Sequence, residues 1–179
     1  TVSGHVFAHG RSHRPGAKAR RTPYPAGMDE RPTFEQIRRA PKVLLHDHLD
    51  GGLRPQTVID LASEHGYDGL PTTDVDDLAR WFTEGANRRD LVLYLDTFEH
   101  TVGVMQERAA IVRVAAECAQ DLADDGVVYA EVRMAPELCL ERGLTLDDAI
   151  EAMLEGFRIG AADGRIEIGL LVTAMRHAA

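Results

Sequence analysis

Cysteine is scarce in this 179-residue chain: Cys118 and Cys139 are the only two. They are too few and too far apart for a disulfide framework or a C-x-x-C metal or redox pair. Both are expected to be small buried hydrophobes in a reducing, cytoplasmic setting. Long apolar runs are missing too. No window reaches the roughly 18–20 apolar residues of a membrane span, so no membrane partner is expected. The arginine-rich N-terminal stretch has no apolar segment behind it, which argues against a secretory signal. Acidic residues are absent from positions 1–27, where Arg11, Arg14, Lys18, Arg20 and Arg21 sit among Gly, Pro and His. Such a mixture without periodicity cannot bury a core, so residues 1–28 are expected to be a basic disordered leader. Thr1 opens the chain, and Met28 looks like the natural start of the folded part.

What is present is ordinary for a core-forming soluble domain: 44% hydrophobic and 27% charged residues. All 29 acidic residues follow the leader, against 15 of the 20 basic ones. An acidic body lacks the basic face that phosphate binding needs, so nucleic acid is not expected as a partner. The length suits one domain but falls short of the about 250 residues of a typical eight-stranded β/α barrel. No internal repeat and no low-complexity tract follow residue 28.

The periodicity predicts alternating strands and helices. A short helix with Thr33 at its start and Gln36 in capping-box spacing ends at Pro41. Val43 to His48 reads as a strand broken by Gly51-Gly52. Pro55 opens a helix that Gly66 stops. Residues 67–90 read as short helical pieces and loops, with Thr73 and Asp76 in capping spacing. Asp90 caps a helix whose apolar stripe is Leu91, Tyr94, Leu95, Phe98, Val102 and Met105. Another helix runs from about Glu107 to Gly126. Val127 to Arg133 is a second strand, Thr145 caps a helix ending at Gly164, and Ile166 to Thr173 is a third strand, expected to be fully buried. This order implies an α/β fold of about three parallel strands with right-handed crossovers.

The most informative segment is His46-Asp47-His48-Leu49-Asp50-Gly51. Residues two apart on a strand share a face, so His46, His48 and Asp50 are expected to project together, with Asp47 and Leu49 turned away. Two imidazoles on one face can hold one divalent ion, and the carboxylate can orient a substrate hydroxyl or a ligand. Ligands gather at the carboxyl ends of parallel strands, where this segment lies. By itself H-x-H is common. Two histidines bonded to water and loop carbonyls, with Asp50-Gly51 as plain turn chemistry, remain an alternative at this level.

The context narrows the choice. Pro41 to Pro55 (PKVLLHDHLDGGLRP) resembles the opening signature of adenosine deaminases, P-K-x-E-L-H-x-H-L-D-G-x-x-x-P. Leu91 to Gln106 resembles the helix that roofs the purine pocket of that family. Gly126 to Pro136 is similar to its second strand, and Ala174-Met175-Arg176-His177 to the M-R-H end of its third. The four segments occur in the family's order and cover roughly residues 30–179. Leu44 departs from the usual Glu, a change not expected to abolish metal binding.

The resemblance implies the N-terminal part of a TIM-type β/α barrel of the amidohydrolase superfamily, occupying residues 29–179. It implies zinc-dependent hydrolysis of adenosine or deoxyadenosine to inosine or deoxyinosine and ammonia. His46 and His48 would be zinc ligands. His48, Asp50 and Gly51 would lie beside the ribose, with Asp50 accepting from the 5′-hydroxyl, and Leu91, Tyr94, Leu95 and Met175 would lie near the base. Asp50, where adenine-specific relatives carry Glu, favours a nucleoside substrate. On pattern alone, however, Leu91, Tyr94 and Leu95 read as core packing. The further His and Asp ligands and the H-A-G-E glutamate that the family uses do not occur in this sequence. The 179-residue chain is therefore expected to be an inactive fragment with no catalytic residue of its own, prone to self-association through an unfinished barrel. The competing readings are a non-catalytic nucleoside-binding or assembly fragment, and another amidohydrolase such as an adenine or aminofutalosine deaminase.

Overall fold

The computed structural model describes residues 31–87 and 91–175, the side chains of 91–93 excepted. The leader expected at 1–28, the Asp90 cap and the Arg176-His177 pair lie outside the described residues. From Phe34 onward the described residues form one compact unit.

Three parallel strands form the sheet, in the order β1 (Lys42–His48), β2 (Val127–Met134), β3 (Glu167–Val172). The helices are α1 (Phe34–Arg39), α2 (Pro55–His65), α3 (Val75–Ala86), α4 (Leu91–Gly103), α5 (Arg108–Asp124) and α6 (Leu146–Gly160). Single 3-10 turns follow β1 and β2, at Leu49–Gly51 and Pro136–Cys139. Parallel neighbours cannot be joined by a tight hairpin, and α2–α5 and α6 supply the long crossovers that parallel pairing needs.

One face of the sheet is covered and the other is not. Ala130, Val132 and Met134 alternate along β2 and are buried against α5 and α6, with Ile111, Met153 and Phe157 in the same core. On the opposite face Val43 and Leu45 are each more than half exposed, and Leu171 is 37% exposed. β3 is thus only partly buried, although its apolar sequence predicts full burial. It lies at the sheet edge, and among the described residues nothing packs on its second face.

Several boundaries differ from the sequence reading, each for a local reason. Residues 67–90 contain a full 12-residue helix, α3. Its cap is Asp74, whose carboxylate accepts from Asp77 N at 3.0 Å, one residue on from the Thr73/Asp76 spacing. Met105, assigned to the α4 stripe, lies beyond the helix end at Gly103 and is fully buried. α6 ends at Gly160, and Gly164 instead takes φ 74° in the turn that follows. The stops at Gly66 (φ 67°) and Gly126 (φ 82°) lie where the sequence puts them, in the left-handed conformation that glycine adopts at little cost.

α5 and α6 pack unusually closely. A Cβ on Gly156 would stand 2.6 Å from Ala115 Cβ, and one on Gly160 would stand 2.7 Å from Ala119 Cβ. Hydrogen at these positions is what lets the two backbones touch.

Candidate active site

The site begins with an irregularity in β1. Leu44 pairs with Ala130 and Asp47 with Val132, so three steps on β1 match two on β2. A bulge of this kind re-aims the side chains that follow it. Val43 and Leu45 are exposed and Leu44 packs on the core. Past the bulge His46 and His48 are exposed while Asp47 is half-buried. The two histidines therefore face the uncovered side of the sheet at the carboxyl end of β1. Their ring centroids lie 5.4 Å apart, tilted by 33°. Two imidazoles sharing one tetrahedral ion through nitrogens about 2.0–2.1 Å from it have centroids roughly 5 Å apart. The spacing of the two rings thus suits two imidazoles on one ion. Among the described residues no group of three His, Cys, Asp or Glu side chains forms a complete ligand set.

Asp50 reaches the same place by a different route from the one expected. The strand ends at His48, and Leu49–Gly51 is a 3-10 turn, so two-residue alternation does not extend to position 50. The turn buries Leu49 in the core and folds the Asp50 carboxylate back toward His48, whose Nδ1 lies 3.6 Å from Asp50 Oδ1. That is an electrostatic approach, just longer than a hydrogen bond. Asp50 Oδ1 is buried without a hydrogen-bond partner. Burial pushes the Asp50 carboxyl above the usual carboxylate range, partly offset by its backbone hydrogen bond and by His48. A buried acceptor without a donor is costly, and a ligand hydroxyl would satisfy it.

His46, His48, Asp50 and Gly51 line one cleft of about 680 Å³. The ends of β2 and β3 contribute Met134 and, beyond the strands, Thr173 and Met175. Met175 is held there by its backbone N–H, which donates to Glu137 Oε1 at 3.3 Å. The roof is α4, through Tyr94, Leu95, Phe98 and Val102. Tyr94 and Leu95 are 39% and 55% exposed, so they stand in the cleft wall rather than in the core, contrary to the reading from pattern alone. The Leu91 side chain lies outside the described residues.

Some cleft residues were not singled out from sequence. Asp47 lines the cleft although alternation turns it away, and its Oδ1 accepts from His48 N at 3.0 Å. Asp96 and Glu99 join it from α4, so that among the described residues four acids and no Lys or Arg line the cleft. Phe98 and Val102 were visible in the α4 stripe, one and two turns after Tyr94 and Leu95. Leu138 was not, because its place depends on a tertiary bond. The buried Gln106 side chain donates to Val102 O at 2.9 Å and Leu138 O at 2.8 Å, and accepts from Glu141 N at 3.0 Å. It stitches the end of α4 to the loop after β2. His100 is half-buried, with its Nδ1 2.8 Å from Tyr67 Oη and its ring edge-on to Trp81. Both cysteines lie outside the cleft. Cys139 is fully buried and Cys118 half-buried, and burial pushes each thiol up to about 12.

Comparison with known proteins bears directly on this cleft. The chain is 62% identical over 160 residues to adenosine deaminase 1 of Streptomyces coelicolor, an alignment covering 87% of this chain and 40% of that protein. It is 56% identical over 157 residues to an adenosine deaminase of Mycobacterium ulcerans, covering 85% and 43%. The chain thus spans about two fifths of the length of these curated relatives. Among solved structures, an adenine deaminase from Arthrobacter aurescens superposes with a TM-score of 0.66 at 24% identity, over 78% of this chain and 41% of that one. An amidohydrolase from Burkholderia ambifaria with bound zinc gives 0.63 at 22%, over 82% and 40%. At these identities the likeness establishes the fold alone, over about two fifths of each neighbour's length. The family model described as adenosine deaminase matches residues 41–179 without interruption, and with relatives more than half identical over most of its length, this chain belongs to the adenosine deaminase family.

Proposed function

We propose that this chain carries the zinc-anchoring and nucleoside-facing part of an enzyme that hydrolyses adenosine or deoxyadenosine to inosine or deoxyinosine and ammonia. The observation that carries the reading is the His46–His48 pair, 5.4 Å apart at the carboxyl end of β1, with the partnerless Asp50 Oδ1 beside it. His46 and His48 would hold zinc through ring nitrogens. The ion, when bound, supplies Lewis acidity that brings the pKa of the attacking water toward neutrality. Asp50 accepts the ribose 5′-hydroxyl and so orients the sugar. Tyr94 and Leu95, from the roof, cover the purine and exclude bulk water, and Met175 packs near the base. Among the described residues the lining is acidic and holds no Lys or Arg, which favours an uncharged nucleoside over a phosphorylated one.

Zinc binding tests the reading. The purified chain is expected to take up zinc, measured by equilibrium dialysis and metal analysis. His46→Ala with His48→Ala should weaken uptake by about a hundredfold or more, given that two nitrogen ligands are lost. Unchanged uptake in the double variant would place the metal elsewhere and end the proposal.

A further inference from the structure

The cleft has a neighbour. A smaller chamber of about 310 Å³ lies between α3 and α4, and Asp50, Gly51, Tyr94 and Phe98 line both spaces. The shared boundary is thin and aromatic. Tyr94 and Phe98 meet edge to face with centroids 5.2 Å apart. Gly51 sits against this pair, where an added Cβ would lie 3.4 Å from Phe98 Cε1.

The chamber is more apolar than its composition suggests. Leu53, Ala79, Phe82 and Ala86 supply hydrocarbon. The other wall residues include three threonines whose hydroxyls are already committed. Thr97 Oγ1 donates to Tyr94 O at 2.6 Å, Thr101 Oγ1 to Phe98 O at 3.1 Å and Thr83 Oγ1 to Ala79 O at 2.9 Å. Each spends its single proton on its own helix and offers little beyond a methyl group and a remaining acceptor. Among the described residues no Lys, Arg or His lines the chamber, and its one charged group is Asp50 at the boundary.

We propose that this chamber is a subsite for an uncharged, apolar substituent at the 5′ end of a purine nucleoside, so that the site admits 5′-alkyl- or 5′-alkylthio-substituted adenosines beside adenosine itself. The inference rests on the reading above, which sets the ribose 5′ end at Asp50; from there the chamber is the adjoining space. A 5′-phosphate is disfavoured, because among the described residues no cation lines the chamber and Asp50 repels it. An alkylthio group loses the hydroxyl that Asp50 would accept. It gains by leaving water, by about fourfold in affinity for each buried methylene. The two effects nearly cancel.

Ligand-detected NMR titration of the 179-residue chain with adenosine, 5′-deoxy-5′-methylthioadenosine and AMP tests this. The methylthio compound is expected to bind within about threefold of adenosine, and AMP about tenfold or more weaker. Ala79→Phe and, at the exposed end of α3, Ala86→Phe fill the chamber. Each should weaken methylthioadenosine by about tenfold while adenosine changes by less than about twofold. The wild-type comparison needs no variant to fold. If adenosine binds but the methylthio compound is about tenfold weaker, or if both variants depress the two ligands equally, the subsite is refuted and the nucleoside reading stands. If adenosine does not bind, both fall together.

Discussion

At the scale of single residues, burial decides which reactive groups are available. Cys139 is fully enclosed and Cys118 is half-buried, and loss of solvation raises both thiols to about 12. At pH 8 such a group is thiolate in only about one molecule in ten thousand, and thiolate is the reactive form. The native chain should therefore react with a disulfide reagent about a hundredfold or more slowly than the urea-unfolded chain. Rapid native labelling of either thiol would contradict the burial described. Cys139 as a buried hydrophobe was legible in the sequence from its type and apolar setting. His46 and His48 were legible as a pair, because period two governs a strand. Asp50 was not legible on those grounds. It shares the cleft because a turn folds it back, and strand alternation fails at that point.

Among the secondary-structure elements, α5 and α6 show most clearly what a sequence withholds. Their apolar periods predict two helices, and the structure shows both. The same periods do not reveal that Gly156 and Gly160 touch the opposing backbone. Gly156→Ala or Gly160→Ala must push the helices apart and should each cost about 1–3 kcal/mol of stability in urea unfolding. Gly52→Ala, with φ −115° and nothing within 4 Å of the added Cβ, serves as the neutral control. Losses equal to the control's would show that the helices are not in that contact. Thr145 begins α6 with a reciprocal cap, donating and accepting through Asp148. Thr145→Ala should cost about 1 kcal/mol in the same experiment. That cap is local chemistry and was visible in the sequence; the helix–helix approach is not local and was not.

For the whole molecule, the uncovered sheet face dominates. Val43 and Leu45 are each more than half exposed on that face, and the outer strands, β1 and β3, each have one unpaired edge among the described residues. Open edges and apolar faces of this kind invite association. Sedimentation velocity is expected to show the 179-residue chain as oligomers at micromolar concentration, shifting toward monomer in Leu45→Lys. A stable monomer with this face exposed would overturn that expectation. Two imidazoles also fall short of the three protein ligands usual for catalytic zinc. The chain by itself is therefore expected to give no change in adenosine absorbance, and zinc-dependent turnover by a purified 179-residue monomer would refute this. The sequence by itself determined the alternation of strands and helices, the Thr145 cap, the stops at Gly66 and Gly126, the H-x-H pair and the family, because these are written in neighbouring residues and in periods of two or 3.6. The tertiary structure alone decided that a bulge turns His46 and His48 to the open face, that Asp50 arrives through a 3-10 turn, and that Gln106 carries Leu138 into the cleft. It also placed a second chamber behind Tyr94 and Phe98. Each of these depends on contacts between residues far apart in the chain or on a break in periodicity, and no local pattern encodes where such a break falls.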